Sequence, residues 1–192
     1  FIFATFFSFI IVNRTEKNKQ NESSPLEKRE SYLYNKKDKE RCIKLERITS
    51  FSVDHTQLKK GVYISRIDDH LTTYDIRMCE PNIDKPLDPK AAHTIEHIGA
   101  TLLRNGKYKE HIIYFGPMGC MTGFYLITKD LSFNTVKTLV KDTFEMIANW
   151  NQDIPGAKKE ECGNYTYMDL TKAKQAALFF INSSWEHEYH YL

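Results

Sequence analysis

The stretch from Pro81 to Gly106 constrains the fold more than any other part of the chain. Pro81, Pro86 and Pro89 mark a loop. Asp88 or Pro89 then opens a helix that runs to about Asn105, where Asn105-Gly106 closes it. Around this helix the other signals are mixed. Phe51–Val53 and Gly61–Ile67 are strand-like, and Thr72–Met78 alternates like a half-buried strand. His111–Phe115 reads as a strand, Gly116–Gly119 as a turn and Cys120–Thr128 as the next strand. Ser132 caps a helix reaching Trp150, Ile154-Pro155-Gly156 is a turn, and Asp169–Asn182 is a last helix. Strands and helices do not alternate as βαβ units, and there is no internal repeat. The pattern therefore predicts an α+β domain, an antiparallel sheet with helices packed on it.

The ends of the chain read differently. Residues 1–12 are an apolar run, too short to span a bilayer as a helix, which needs roughly 20 residues. The run reads as a signal remnant, a signal anchor or an artefact of a truncated start, and a membrane contact is expected only if it is genuine. The chain opens on Phe1 and its first methionine is Met78, so the sequence is expected to lack its own start. Residues 13–47 are rich in Lys, Glu, Asn and Ser and read as a solvated linker. The expected organisation is an irregular extension over 1–47 and one domain over 48–192. A formal net charge of +2 among 192 residues implies no nucleic-acid partner. Cys42, Cys79, Cys120 and Cys162 are widely separated, which argues against a disulfide framework and for thiols acting as ligands or nucleophiles in a reducing compartment.

The chemistry concentrates in a few segments. In His93-Thr94-Ile95-Glu96-His97 the two histidines stand four apart on the predicted helix and face the same way, within reach of one metal ion. Glu96 is placed to act as a base beside it. The plain alternative is two half-buried histidines with ordinary hydrogen bonds, and the H-x-x-E-H pattern alone does not identify a reaction. A catalytic metal site usually takes three protein ligands and one open position. Cys162, between Glu161 and Gly163, is a candidate third ligand, or else a structural thiol. Gly116-Pro117-Met118-Gly119-Cys120-Met121-Thr122-Gly123 surrounds one thiol with glycines, which suits either a reactive cysteine or a turn ending in a core cysteine.

HTIEH, GPMGCMTGFY and ECGNY, in this order and spacing, resemble the LuxS family, as do SFSVDHT and TTYDIRMCEPN upstream. The likeness covers about residues 48–182. It implies the LuxS fold and an S-ribosylhomocysteine lyase, which cleaves S-ribosyl-L-homocysteine to L-homocysteine and 4,5-dihydroxy-2,3-pentanedione, the autoinducer-2 precursor, without a redox cofactor. It implies that His93, His97 and Cys162 hold one divalent metal, Fe²⁺ in the cell with Zn²⁺ or Co²⁺ as substitutes. Cys120 and Glu96 would be the acid/base pair, and Ser50, His55 and Arg77 would bind substrate or shape the pocket. It further implies a homodimer with shared active sites. A cytoplasmic location follows from a cytosolic substrate and reduced thiols.

Several positions depart from the family pattern: Tyr114, Gly116, Met121, Lys60 before Gly61, and the additional thiol Cys79. They touch rate and pocket detail, since the metal and acid/base positions are intact. His187 and His190 are expected on a frayed C-terminus, Tyr165 and Tyr167 as packing residues, and Trp150 at a core or rim position. Two rival readings are an inverted-motif zinc metallopeptidase, whose third ligand is normally a carboxylate, and an inactive relative acting as a dimeric binding module.

Overall fold

The computed structural model describes residues 48–183, 185, 189 and 190. The apolar run over 1–12, the linker over 13–47 and His187 lie outside the described residues. Strands β1 (Gly61–Asp68) and β2 (Leu71–Arg77) form a hairpin in which Asp68 pairs with Leu71. Asp69 in its turn takes φ 54°, a left-handed conformation that Asp tolerates. Strands β3 (Ile112–Pro117) and β4 (Gly123–Lys129) form a second antiparallel pair, and β4 adds antiparallel to β2. The two-residue strand β5 (Tyr189–His190) lies parallel to β1, giving the order β3-β4-β2-β1-β5.

Helices α2 (Pro89–Asn105), α3 (Phe133–Ala148) and α4 (Leu170–Ile181) follow the sequence signals closely, because each start is capped by the expected side chain. Asp88 accepts from the N–H groups of Lys90 and Ala91, Ser132 from that of Thr135, and Asp169 from that of Lys172. Each such cap contributes about 1 kcal/mol. A short helix, α1 (Thr49–Ser52), precedes them.

Strand alternation sorts the sheet into two faces. Val62, Ile64, Tyr74, Ile76, Phe124 and Leu126 point to one side and pack with Ile95, Ile98, Val140, Phe144, Ala177 and Phe180 from the three long helices. Rings continue this core from β3 to the last helix: Phe115 stacks on Phe124, Phe124 meets Phe144 edge-on, and Phe144 meets Phe180 at 5.0 Å. Gly99 lets α2 approach the sheet here, since a Cβ would stand 2.6 Å from Phe115 Cε1. The other face carries Tyr63, Asp75, Arg77 and Tyr125, with Asp75 opposite both Tyr63 and Tyr125 in register.

The α+β expectation holds, with local corrections. Phe51–Val53 is not a strand. Phe51 N–H bonds to the Ile48 carbonyl at 3.0 Å, closing a helical turn, and among the described residues no strand pairs with this segment. Cys120 lies outside β4, in a turn closed by the Met121 N–H to the Met118 carbonyl at 2.9 Å. A single 3-10 turn takes Lys109–His111, so β3 begins one residue later than expected. Near the end of the described residues the expectation of fraying is corrected at two positions. Trp185 is buried and stacks on Phe180 at 4.7 Å, and His190 pairs with Ile64 through the backbone.

Candidate active site

Two clusters of functional side chains emerge. The first stands on α2. His93 and His97, one helical turn apart, have ring centroids 4.7 Å apart. Cys162 reaches them from the loop between α3 and α4, its Sγ 3.5 Å from His93 Nε2. One ligand atom from each of the three residues lies within 4.8 Å of the others. The exposed loop therefore delivers the third ligand candidate that spacing alone left open.

Backbone carbonyls set the chemistry of both imidazoles. The Nδ1–H of His93 donates to the Tyr167 carbonyl at 2.9 Å, and that of His97 to the Pro155 carbonyl at 2.7 Å. A carbonyl only accepts, so Nδ1 carries the proton in each neutral ring and Nε2 keeps a free lone pair. Such outer partners orient metal-binding histidines and raise their basicity. The Asn164 N–H donates to Cys162 Sγ at 3.4 Å, which helps fix the position of the sulfur. Gly156, at φ 70°, is needed where it stands, because a Cβ there would come within 3.0 Å of His97 Nδ1. Two imidazole nitrogens and one thiolate form a donor set suited to a divalent transition metal with a position left for substrate. The site fits such an ion. Tyr165 and Tyr167 stand outside the cluster, and the Tyr167 ring packs under Lys90 Nζ at 5.3 Å. Both are about two-fifths exposed, and Tyr167 serves through its carbonyl. Glu96 is half-buried on α2, next to His97.

The second cluster opens on the other face of the sheet. A cavity of about 280 Å³ is lined by residues that include Phe51, His55, Arg77, Cys120 and Tyr125. None of His93, His97, Cys162 or Glu96 lines it. Cys120 is exposed at its edge, with its sulfur 3.0 Å from Thr122 Oγ1. Partial burial pushes the thiol up, but the hydrogen bonds from Thr122 and the charge of Arg77 outweigh it and hold Cys120 below the ordinary thiol range. His55 donates from Nδ1 to the Val53 carbonyl at 3.0 Å, which leaves its Nε2 as an acceptor. Ser50 lies on α1 by its backbone. Arg77 is buried and donates to the Asp75 carboxylate and to Thr122 Oγ1. Burial, with Asp75 beside it, pushes the Tyr125 phenol up, so the ring keeps its proton at neutral pH. Cys79 faces the core rather than the cavity, and burial pushes its thiol up, which leaves it unreactive.

The sequence reading passed over Asp75, Thr122, Tyr125 and Ser65. Asp75 stands two residues from Arg77 on an alternating strand, so a shared face was legible there. Ser65 stands two residues after Tyr63 on β1, so alternation places it on the same face, beside the β-bulge between Ile64 and Arg66.

The sequence model of the family described as S-Ribosylhomocysteinase (LuxS) matches residues 48–190. An S-ribosylhomocysteine lyase of Desulfotalea psychrophila is 50% identical over 139 residues, 69% of this chain and 87% of the relative. One from Borreliella burgdorferi strain ZS7 is 50% identical over 136 residues, covering 68% and 87%. One from Phocaeicola vulgatus is 42% identical over 149 residues, covering 74% and 92%.

Proposed function

This chain belongs to the LuxS family of S-ribosylhomocysteine lyases, and from that premise we propose that it cleaves S-ribosyl-L-homocysteine to L-homocysteine and 4,5-dihydroxy-2,3-pentanedione, the precursor of autoinducer-2. The observation that carries the reading is the His93–His97–Cys162 cluster in a chain that also presents a low-pKa thiol at Cys120.

The substrate is an aldose with homocysteine attached as a thioether at ribose C5. The thioether leaves only when a carbonyl at C3 makes the C4 proton acidic. Cys120 and Glu96 are assigned the proton transfers. Removing the C2 proton and returning one to C1 moves the carbonyl from C1 to C2. Removing the C3 proton and returning one to C2 moves it to C3. Loss of the C4 proton then expels the C5 sulfur as homocysteine, with no net oxidation and no water consumed. A divalent ion held by His93, His97 and Cys162, which we assign as Fe²⁺ with Zn²⁺ or Co²⁺ able to replace it, supplies Lewis acidity toward the sugar oxygens. His55, Arg77 and Ser50 are assigned to substrate binding and pocket shape. Arg77 lines the cavity with its buried guanidinium held by Asp75 and Thr122.

One substrate needs both clusters, yet the cavity with Cys120 lies on the sheet face opposite α2. A homodimer resolves this: the metal cluster and Glu96 of one subunit meet the Cys120 cavity of the other. The lyase domain is assigned to 48–192, with 1–47 as an extension, and the enzyme to the cytoplasm. Among the described residues no helix is long and apolar enough to cross a membrane. A metallopeptidase reading is disfavoured, because the third member of the cluster is a cysteine rather than a carboxylate.

The test measures both products from S-ribosylhomocysteine, homocysteine with a thiol reagent and the diketone by condensation with o-phenylenediamine. Equal amounts are expected. Homocysteine accompanied by free ribose would mean hydrolysis and would overturn the lyase assignment.

A further inference from the structure

Thr122 stands between a buried cation and the reactive thiol. It is buried, and its carbonyl accepts the N–H groups of Met78 and Cys79 at 2.9 and 3.0 Å, which ties it to the end of the strand that carries Arg77. A guanidinium donates and never accepts, so Thr122 Oγ1 is the acceptor toward Arg77. The hydroxyl has a single hydrogen, and Cys120 Sγ lies 3.0 Å away. An O–H bond polarised by a cation donates more strongly.

We propose that Thr122 is a positioning residue for the reaction: its hydroxyl accepts from Arg77, donates to Cys120 Sγ, and so holds that sulfur as a thiolate aimed into the cavity. The charged and titratable groups that face Cys120 are Arg77 and Asp75 from β2, Tyr125 from β4 and His55 from the segment after α1. Among these four Arg77 is the permanent cation; it acts on the sulfur directly and through Thr122, whose hydroxyl touches both. The depressed thiol pKa has the same origin, with Thr122 first among the influences that lower it. The catalytic consequence rests on the assignment of Cys120 as an acid/base group, whereas the relay itself is a property of the thiol and is measured on it.

The experiment follows iodoacetamide labelling of Cys120 against pH in the metal-loaded full chain, read by mass spectrometry of the Cys120 peptide, in wild type, Thr122→Ser and Thr122→Val. Wild type and Thr122→Ser are expected to agree within about 2-fold, with a midpoint below the free-thiol value of about 8.5. Thr122→Val, which keeps the shape and loses the hydroxyl, is expected to raise the midpoint by about one unit and slow labelling about 10-fold at neutral pH. The acid limb of the kcat profile should move with it, and KM should not. A folded Thr122→Val protein with the wild-type midpoint overturns the proposal; if that variant does not fold, Thr122→Ala is read against the same two outcomes. A midpoint shift in Thr122→Val, with a metal-loaded wild type that releases no homocysteine, would uphold the relay and sink the lyase reading. Normal release with an unmoved midpoint would sink the relay alone.

Discussion

The Nδ1 of His97 donates to the carbonyl of Pro155 at 2.7 Å, and this one bond decides which nitrogen of the ring is free. A proton fixed on Nδ1 leaves the Nε2 lone pair for a metal. The carbonyl is held in place by the turn that continues into Gly156.

Gly156→Ala should therefore weaken metal binding without unfolding the domain. Its φ of 70° makes any side chain strained, and the added Cβ would crowd His97 Nδ1 at 3.0 Å. Disturbing such an outer partner is expected to cost about 10- to 100-fold in metal affinity. Metal content after dialysis against a buffered Zn²⁺ series, with circular dichroism as the fold control, checks this.

Cys162→Ala and Cys120→Ala should separate metal binding from proton transfer. The first removes the sulfur beside His93 Nε2 and is expected to lose both metal and turnover. The second lies outside the three-residue cluster and is expected to keep the metal while releasing no homocysteine. Metal analysis and thiol release on the same samples check the pair, and normal turnover by Cys120→Ala would remove Cys120 from the mechanism.

Mixing those two inactive variants tests the shared site. If Cys120 of one subunit works with the metal cluster of the other, a mixed dimer contains one wholly wild-type site. After unfolding and refolding together, the mixture should recover activity that neither variant has alone. Activity that stays at the level of the separate variants in a confirmed mixed dimer would place both halves of the site in one subunit.

Thr94 offers a stability test next to the metal cluster. Its buried hydroxyl donates to the Lys90 carbonyl at 2.8 Å and accepts the Asp169 N–H at 2.9 Å, joining α2 to the start of α4. Thr94→Val leaves that N–H without its partner and should cost about 1–3 kcal/mol. Urea unfolding of the two proteins checks the figure.

The parts that were legible in the sequence have local causes. Asp88-Pro89, Ser132 and Asp169 satisfy helix N–H groups by themselves, so the helices stand where spacing puts them, and two histidines four apart must then share a face. The thiol of Cys162 was different, because its loop has no periodicity and the residues alone left it open between a third ligand and a structural thiol. The carbonyls of Pro155 and Tyr167 carry no side-chain signature at all. The Asp75–Arg77–Thr122–Cys120 chain needs the register of β2 against β4, in which Arg77 lies opposite Gly123, and register is a long-range property. The short helix α1 was missed because Phe51-Ser52-Val53, two apolar residues flanking a serine, is too short for periodicity to separate strand from helix.

The most direct test of the account is homocysteine release from S-ribosylhomocysteine by anaerobically purified protein, stripped by chelation and then supplied with Fe²⁺ or Co²⁺. The account predicts no release from the stripped protein and release restored by either ion. A folded, metal-loaded dimer that releases no homocysteine would contradict it.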